Sequence, residues 1–151
     1  MTDERTVSQD ERMLAALAHG SILLGLPTNG IGGIAAALII WLAQRDKSPY
    51  VAFQALQALI YQVVVLLAVM VLFGCWGILW LLMIIPSAGM ATPSTGGAPP
   101  GIWAGLALLA CPLALSAILV FYGLWGAIRS LSGKDFRYVI IGDWLERRQV
   151  H

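Results

Sequence analysis

A chain of 151 residues that is 59% hydrophobic and only 11% charged, with a mean hydropathy of +0.81, lies well outside the soluble range, in which about a quarter of residues are charged. Its formal charge of +1 offers no basic field for nucleic acid and excludes that class of partner. From Ser48 to Ile128 no Asp, Glu, Lys, Arg or His occurs, and an uncharged run of that length belongs in a membrane.

Residues 1–12 read as a cytoplasmic polar tail. Asp3, Glu4, Asp10 and Glu11 stand against Arg5 before residue 12, the wrong sign for the basic start of a secretory signal. Asp10 and Glu11 would place acidic charge at the start of a helix. The first apolar segment, 13–26, runs into Pro27-Thr28-Asn29-Gly30, four turn-favouring residues in a row. A second segment, 31–43, follows before Gln44-Arg45-Asp46-Lys47 returns charge. Taken as one kinked helix, Met13 to Ala43 would measure about 46 Å, well over a hydrocarbon core of about 30 Å, while each half alone is only about 20 Å. A hairpin is favoured, because a turn in mid-lipid would expose unsatisfied backbone whereas a turn at the interface meets water. Gly32, Gly33, Ala36 and Ala37 form overlapping small-residue pairs that let a neighbouring helix approach closely.

Ser48-Pro49 has the chemistry of an N-cap followed by proline at the first helical position, and a helix is expected over 50–85, with Pro86 at its end. At about 54 Å it exceeds the bilayer, so its first turns belong at the interface. The Gly/Pro/Ser/Thr-rich 87–101 segment reads as an external loop. The last uncharged run, 102–128, forms a tilted span with a kink at Pro112. Residues 129–151 restore charge and carry Phe136, Tyr138 and Trp144 as interface anchors. The expected fold is an all-α, polytopic membrane helical bundle. Residues 13–128 form one domain of four membrane helices, the first two a short hairpin, or three spans if 13–43 is one kinked helix. A short interfacial C-terminal segment follows.

The basic residues fix the expected orientation. Arg45 and Lys47 on one loop, and Arg129, Lys134 and Arg137 on the tail, belong on the cytoplasmic side near lipid headgroups, which also places both termini there if the hairpin forms. The location implied is a bacterial cytoplasmic membrane.

Few residues carry chemistry. Polar groups inside a membrane are functional candidates by default, and His19 is the foremost. Its titration range suits a proton relay or a ligand to heme or a chlorophyll-type pigment; the structural alternative is a hydrogen bond to a neighbouring helix. No second histidine or carboxylate lies in an apolar run, so a metal site, an acid/base pair and a nucleophilic triad all lack their partners. No catalytic residue, metal or cofactor is assigned. Cys75 and Cys111 read as small packing residues, and Trp76 and Trp80, one helical turn apart, as packing or lipid-facing surface.

Tyr50, Gln54, Gln57 and Tyr61 stand at spacings of four, three and four. At about 100° per residue they form one narrow polar stripe, with Gln62 nearby. Such a face asks for a polar partner, either another helix of the same bundle, a lipid headgroup or a second subunit.

The 47–62 stretch, KSPYVAFQALQALIYQ, together with Ala15-Ala16-Leu17-Ala18-His19, Ile39-Ile40-Trp41-Leu42 and Gly133-Lys134, resembles a small bacterial membrane-protein family of unknown function related to the twenty-kilodalton Tic subunit of the chloroplast import machinery. Ser48, Pro49, Val51, Phe53, Gln57, Ala58, Leu59 and Gln62 match its central pattern. The chain departs from that pattern at Gln54, where the family has His, at Ile60, where it has Asn, and at Tyr138-Val139, where it has Tyr-Pro. The resemblance implies a place in a protein-conducting passage as an alternative function. The reading the residues favour is a non-catalytic accessory or scaffolding subunit of a larger, energy-transducing type of membrane complex. Its expected partners are membrane lipid and other integral membrane subunits. A cofactor or pigment carrier acting through His19 is the third reading.

Overall fold

A computed structural model describes residues 7–88, 98–133 and 136–138. Among the described residues all regular structure is helical: α1 (Gln9–Gly20), α2 (Ile22–Gly25), α3 (Ile31–Gln44), α4 (Pro49–Ala88) and α5 (Pro100–Leu131). The all-α class is therefore right, and the expectation of four membrane helices is not confirmed. Among the described residues only α4 and α5 are long and apolar enough to cross a membrane; at 40 and 32 residues they run about 60 and 48 Å. Helix α3, with 14 residues, reaches only about 21 Å.

Helix α1 begins before the apolar run because Ser8 and Glu11 cap each other. The Glu11 N–H donates to Ser8 Oγ (3.2 Å) and the Ser8 N–H to Glu11 Oε2 (2.9 Å), satisfying two donors that a helix start leaves open. The second end of the 13–26 segment is not one helix, since the chain bends at Ser21 into the single turn α2. Pro27–Gly30 then turns the chain with Asn29 and Gly30 in the left-handed region, at φ 51° and 89°. Several of the turn's hydrogen bonds are internal. Thr28 Oγ1 donates to Leu24 O (2.5 Å) and accepts from the Gly32 N–H (2.8 Å), and the Gly30 N–H reaches Gly25 O (2.7 Å). The exposed Asn29 makes no such bond among the described residues, so the turn still favours contact with water.

Pro86 lies within the last turn of α4 rather than ending it, and Pro112 lies inside α5. Residues 89–97, which include most of the expected external loop, are outside the described residues, as are 1–6, 134–135 and 139–151. Lys134 and Trp144 fall among them.

The chain divides into two compact units, Met1–Leu66 with Leu119–His151, and Leu67–Ile118. In the first, Ala18, Ala37, Ala55 and Ala58 form a small-residue centre with Ile40, Trp41 and Leu59 packed against it. One alanine each from α1 and α3 and two from α4 let three helices approach closely. In the second unit the Trp76 indole donates to Gly105 O (3.0 Å), and Trp76 and Trp80 stack at 5.3 Å. Trp80 lies so close over Gly105 that no Cβ fits there. Cys75 and Cys111 are free and exposed, so neither is a packing residue within its helix pair.

Candidate functional site

The polar stripe on α4 faces inward in the first unit. Gln54, Gln57, Tyr61 and Gln62 are all buried, while Tyr50, at the start of the helix, is half-buried. Each buried member meets a different element.

Gln62 ties α4 to the bend at Ser21. Its Nε2 donates to Ala18 O (3.2 Å) and to Ser21 Oγ (3.0 Å). The Ser21 hydroxyl in turn lies 2.8 Å from Ala18 O and 3.0 Å from Gly33 O, sharing its one proton between them. Gly33 permits this junction, because a Cβ there would sit 2.7 Å from Ser21 O and 3.3 Å from Ile22 Cα. The small residues expected to admit a neighbouring helix thus admit α1 and α2 of the same chain. Gly33 and Ala37 are buried, and Gly32 and Ala36 are half-buried.

Gln54 meets His19. The imidazole is 1% exposed, with Nε2 3.1 Å from Gln54 Oε1 and Nδ1 3.1 Å from the Tyr138 hydroxyl. A carboxamide oxygen only accepts, so the network requires Nε2–H to donate to Gln54 and leaves Nδ1 to accept from Tyr138. Burial raises the Tyr138 phenol above its ordinary range, with the Tyr61 and Tyr122 phenols adding to the effect. That keeps the hydroxyl protonated and able to donate.

Gln57 grips the backbone beyond α5. Its Nε2 donates to Phe136 O (3.5 Å) and its Oε1 accepts from the Tyr138 N–H (3.2 Å). One side-chain amide therefore plays the part of a neighbouring strand for an extended tripeptide, since C=O of one residue and N–H of the second after it point the same way. Phe136 and Tyr138 are buried and Arg137 between them is exposed, the alternation an extended segment gives. The Tyr61 ring stacks on Tyr138 at 4.1 Å and 10°, and its hydroxyl donates to Leu119 O of α5 (2.6 Å).

Helix α5 makes room for these rings with glycine. A Cβ on Gly126 would lie 2.8 Å from Phe136 Cε1 and 3.2 Å from His19 Nδ1, and one on Gly123 would lie 2.9 Å from Ile22 Cδ1 and 3.2 Å from Tyr61 Cε1. Phe136 and Tyr138, expected as interface anchors, are instead inside the protein. Sequence reasoning missed them and the two glycines. Two signals were present: the aromatic-Arg-aromatic alternation at 136–138 and the spacing of three between Gly123 and Gly126.

The basic residues lie apart from this seam. Arg45 is exposed and pairs with Asp46 at 3.2 Å, a contact worth little in water. Lys47 and Arg137 are exposed, and Arg129 is half-buried. Among the described residues no three His, Cys, Asp or Glu side chains come together as metal ligands.

The family described as the Magnetosome magnetite crystal formation protein family matches residues 10–145. The chain belongs to this family. Its description names crystal formation and no enzyme activity, which agrees with a small bacterial membrane protein; it gives no support to a relation with the chloroplast import subunit. Among curated proteins and solved structures nothing matches the chain significantly.

Proposed function

We propose that this magnetosome-family protein is a non-catalytic accessory of the membrane in which magnetite crystals form, acting as a rigid multi-pass platform for lipid and other membrane subunits. The observation that carries this reading is that each buried member of the polar seam is hydrogen-bonded within the chain, with Gln62 Oε1 left without a partner among the described residues. Gln54, Gln57, Tyr61 and Gln62 each bond to α1, α5, the Ser21 bend or residues 136–138 of the same chain. A face committed in this way holds a shape; it does not offer open donors to a substrate. The same geometry disfavours the alternatives. A passage for protein would need polar groups facing a lumen, and a cofactor on His19 would need a ring nitrogen that is not already engaged.

In this reading 13–128 is the membrane domain, α4 and α5 cross the bilayer, and 13–43 enters and leaves from one face. Both termini are cytoplasmic. The Ser48 hydroxyl donating to Glu11 Oε1 (2.6 Å) supports that placement, since it joins the start of α1 to the start of α4 beside the Arg45–Lys47 loop. The test is deletion in a magnetite-forming cell, complemented by the wild-type chain and by Gln57→Leu. Deletion should alter crystal length or number in electron micrographs, wild type should restore them, and Gln57→Leu should restore them incompletely. Unchanged crystals after deletion would sink the proposal.

A further inference from the structure

At one end of the first unit, α5 closes with the Ser132 N–H on Ile128 O and the Gly133 N–H on Ser130 O, both 3.1 Å. Gly133 takes a left-handed φ of 69°. Its missing side chain is used by Arg12 of α1, for a Cβ on Gly133 would lie 2.6 Å from Arg12 Cζ and 2.7 Å from Nη1. The Arg12 guanidinium therefore lies on the residue that bonds back to Ser130, next to Arg129. Two cations share this helix end.

Three buried donors here have no hydrogen-bond partner among the described residues: Arg12 Nε, Arg129 Nε and Ser130 Oγ, the last on a residue 0% exposed. Among the described residues the nearby carboxylates are committed or exposed. Glu11 gives one oxygen to the Ser8 N–H and the other to the Ser48 hydroxyl. Asp46 pairs with Arg45, and Asp10 is exposed. Arg12 and Arg129 bring two positive charges to this helix end, which repel, and the α5 carbonyl end supplies only partial negative charge. A tetrahedral phosphate matches the need: its oxygens accept from the guanidinium forks and from a hydroxyl at once.

We infer that Arg12, Arg129 and Ser130 form a binding site for a phosphate group, that of an anionic phospholipid headgroup at the membrane surface. This rests on the membrane placement proposed above. The site is distinct from the His19 seam and adds Arg12, which charge-pattern reading assigned to the polar tail.

The test uses the full chain in nanodiscs of phosphatidylcholine, of equal parts phosphatidylcholine and phosphatidylglycerol, and of phosphatidylcholine with inorganic phosphate added. Phosphatidylglycerol should remain on the protein after transfer to mild detergent, read by mass spectrometry of the intact complex. Arg12→Gln and Arg129→Gln should each lower that retention about tenfold, as loss of a charge-assisted bond implies. Arg45→Gln, whose guanidinium is already paired with Asp46, should lower it less than twofold. Arg12→Lys, which keeps the charge but not the fork, should fall between, and Ser130→Ala should lower retention without a change in fold. A melting temperature raised by inorganic phosphate as much as by phosphatidylglycerol would assign the site to the free anion and overturn the lipid assignment. Retention indifferent to both arginines overturns the site while the membrane reading stands; failure of the chain to enter any nanodisc overturns both.

Discussion

Replacing Gln57 by leucine probes the clamp on residues 136–138 directly. The side chain is fully buried, and leucine fills a similar volume, so the change removes hydrogen bonds more than packing. It orphans two backbone groups, Phe136 O and the Tyr138 N–H. Each buried group left unpaired costs about 1–3 kcal/mol, and the 3.5 Å bond to Phe136 O belongs at the lower end, giving about 2–4 kcal/mol in total. Against this stands the burial of Phe136 and Tyr138, at about 1.5–3 kcal/mol each. The burial, about 3–6 kcal/mol in total, is the larger sum, so the 136–138 segment stays docked but is released more often while the helices stay packed. Hydrogen exchange at the Tyr138 amide in detergent micelles reads that release. A loss of about 2 kcal/mol should speed exchange about 30-fold, with α1 and α4 amides changed much less. An exchange rate within about twofold of wild type would refute the clamp.

Gly33→Ala should destabilise the first unit strongly, because the added carbon meets Ser21 O and Ile22 Cα, which are backbone and cannot swing aside. Gly74→Ala and Gly77→Ala meet nothing within 4 Å and should be neutral or stabilising by up to about 1 kcal/mol through helix propensity; thermal melting in detergent separates the two classes. Ser48→Ala removes both the cap to the Val51 N–H (3.3 Å) and the tie to Glu11. It should cost about 1–2 kcal/mol, and a Glu11→Gln background should shrink that loss if the Glu11 tie carries part of it, which a double-mutant cycle checks. Tyr138→Phe leaves His19 Nδ1 without its donor and should lower the melting temperature, whereas Tyr122→Phe, whose ring meets Tyr138 edge-on at 5.5 Å, should not.

The long uncharged helices were legible because hydropathy and length act over many residues at once. The inward face of α4 was legible too, from the spacing of Gln54, Gln57 and Tyr61. Other features depended on partners distant in the chain. Whether Gln57 faces lipid, a subunit or its own backbone is decided by Phe136 and Tyr138, about eighty residues away, and no local pattern encodes that. The acidic start of α1 was legible at Asp10 and Glu11, whereas its cap depends on the reciprocal bonds of Ser8 and Glu11. The number of spans was not legible for a different reason: apolar composition shows that a segment tolerates lipid, not that it crosses it. Leu23, Leu24, Leu26 and Ile31 are exposed around the hairpin turn, which suits lipid contact, and Thr28 and Gly30 satisfy part of its backbone from within.

That internal bonding bears on how to read polar residues in such a chain. In a bilayer, lipid tails are as apolar as leucine, so the hydrophobic effect gives helices little reason to choose one another. Specific docking must come from small residues and from hydrogen bonds. The first unit uses both at each junction: Gln62 with Ser21 and Gly33 where the hairpin meets α4, Tyr61 with Gly123 where α4 meets α5, and Gln54 with His19 where α1 meets α4. The second unit repeats the device with Trp76 on Gly105 and Ser87 accepting from the Gly101 N–H (3.3 Å). The buried histidine and glutamines of the first unit are each engaged in docking one part of the chain on another. By that criterion the groups to suspect of binding something else are the donors that internal docking leaves unmet, and in the first unit these include Arg12, Arg129 and Ser130.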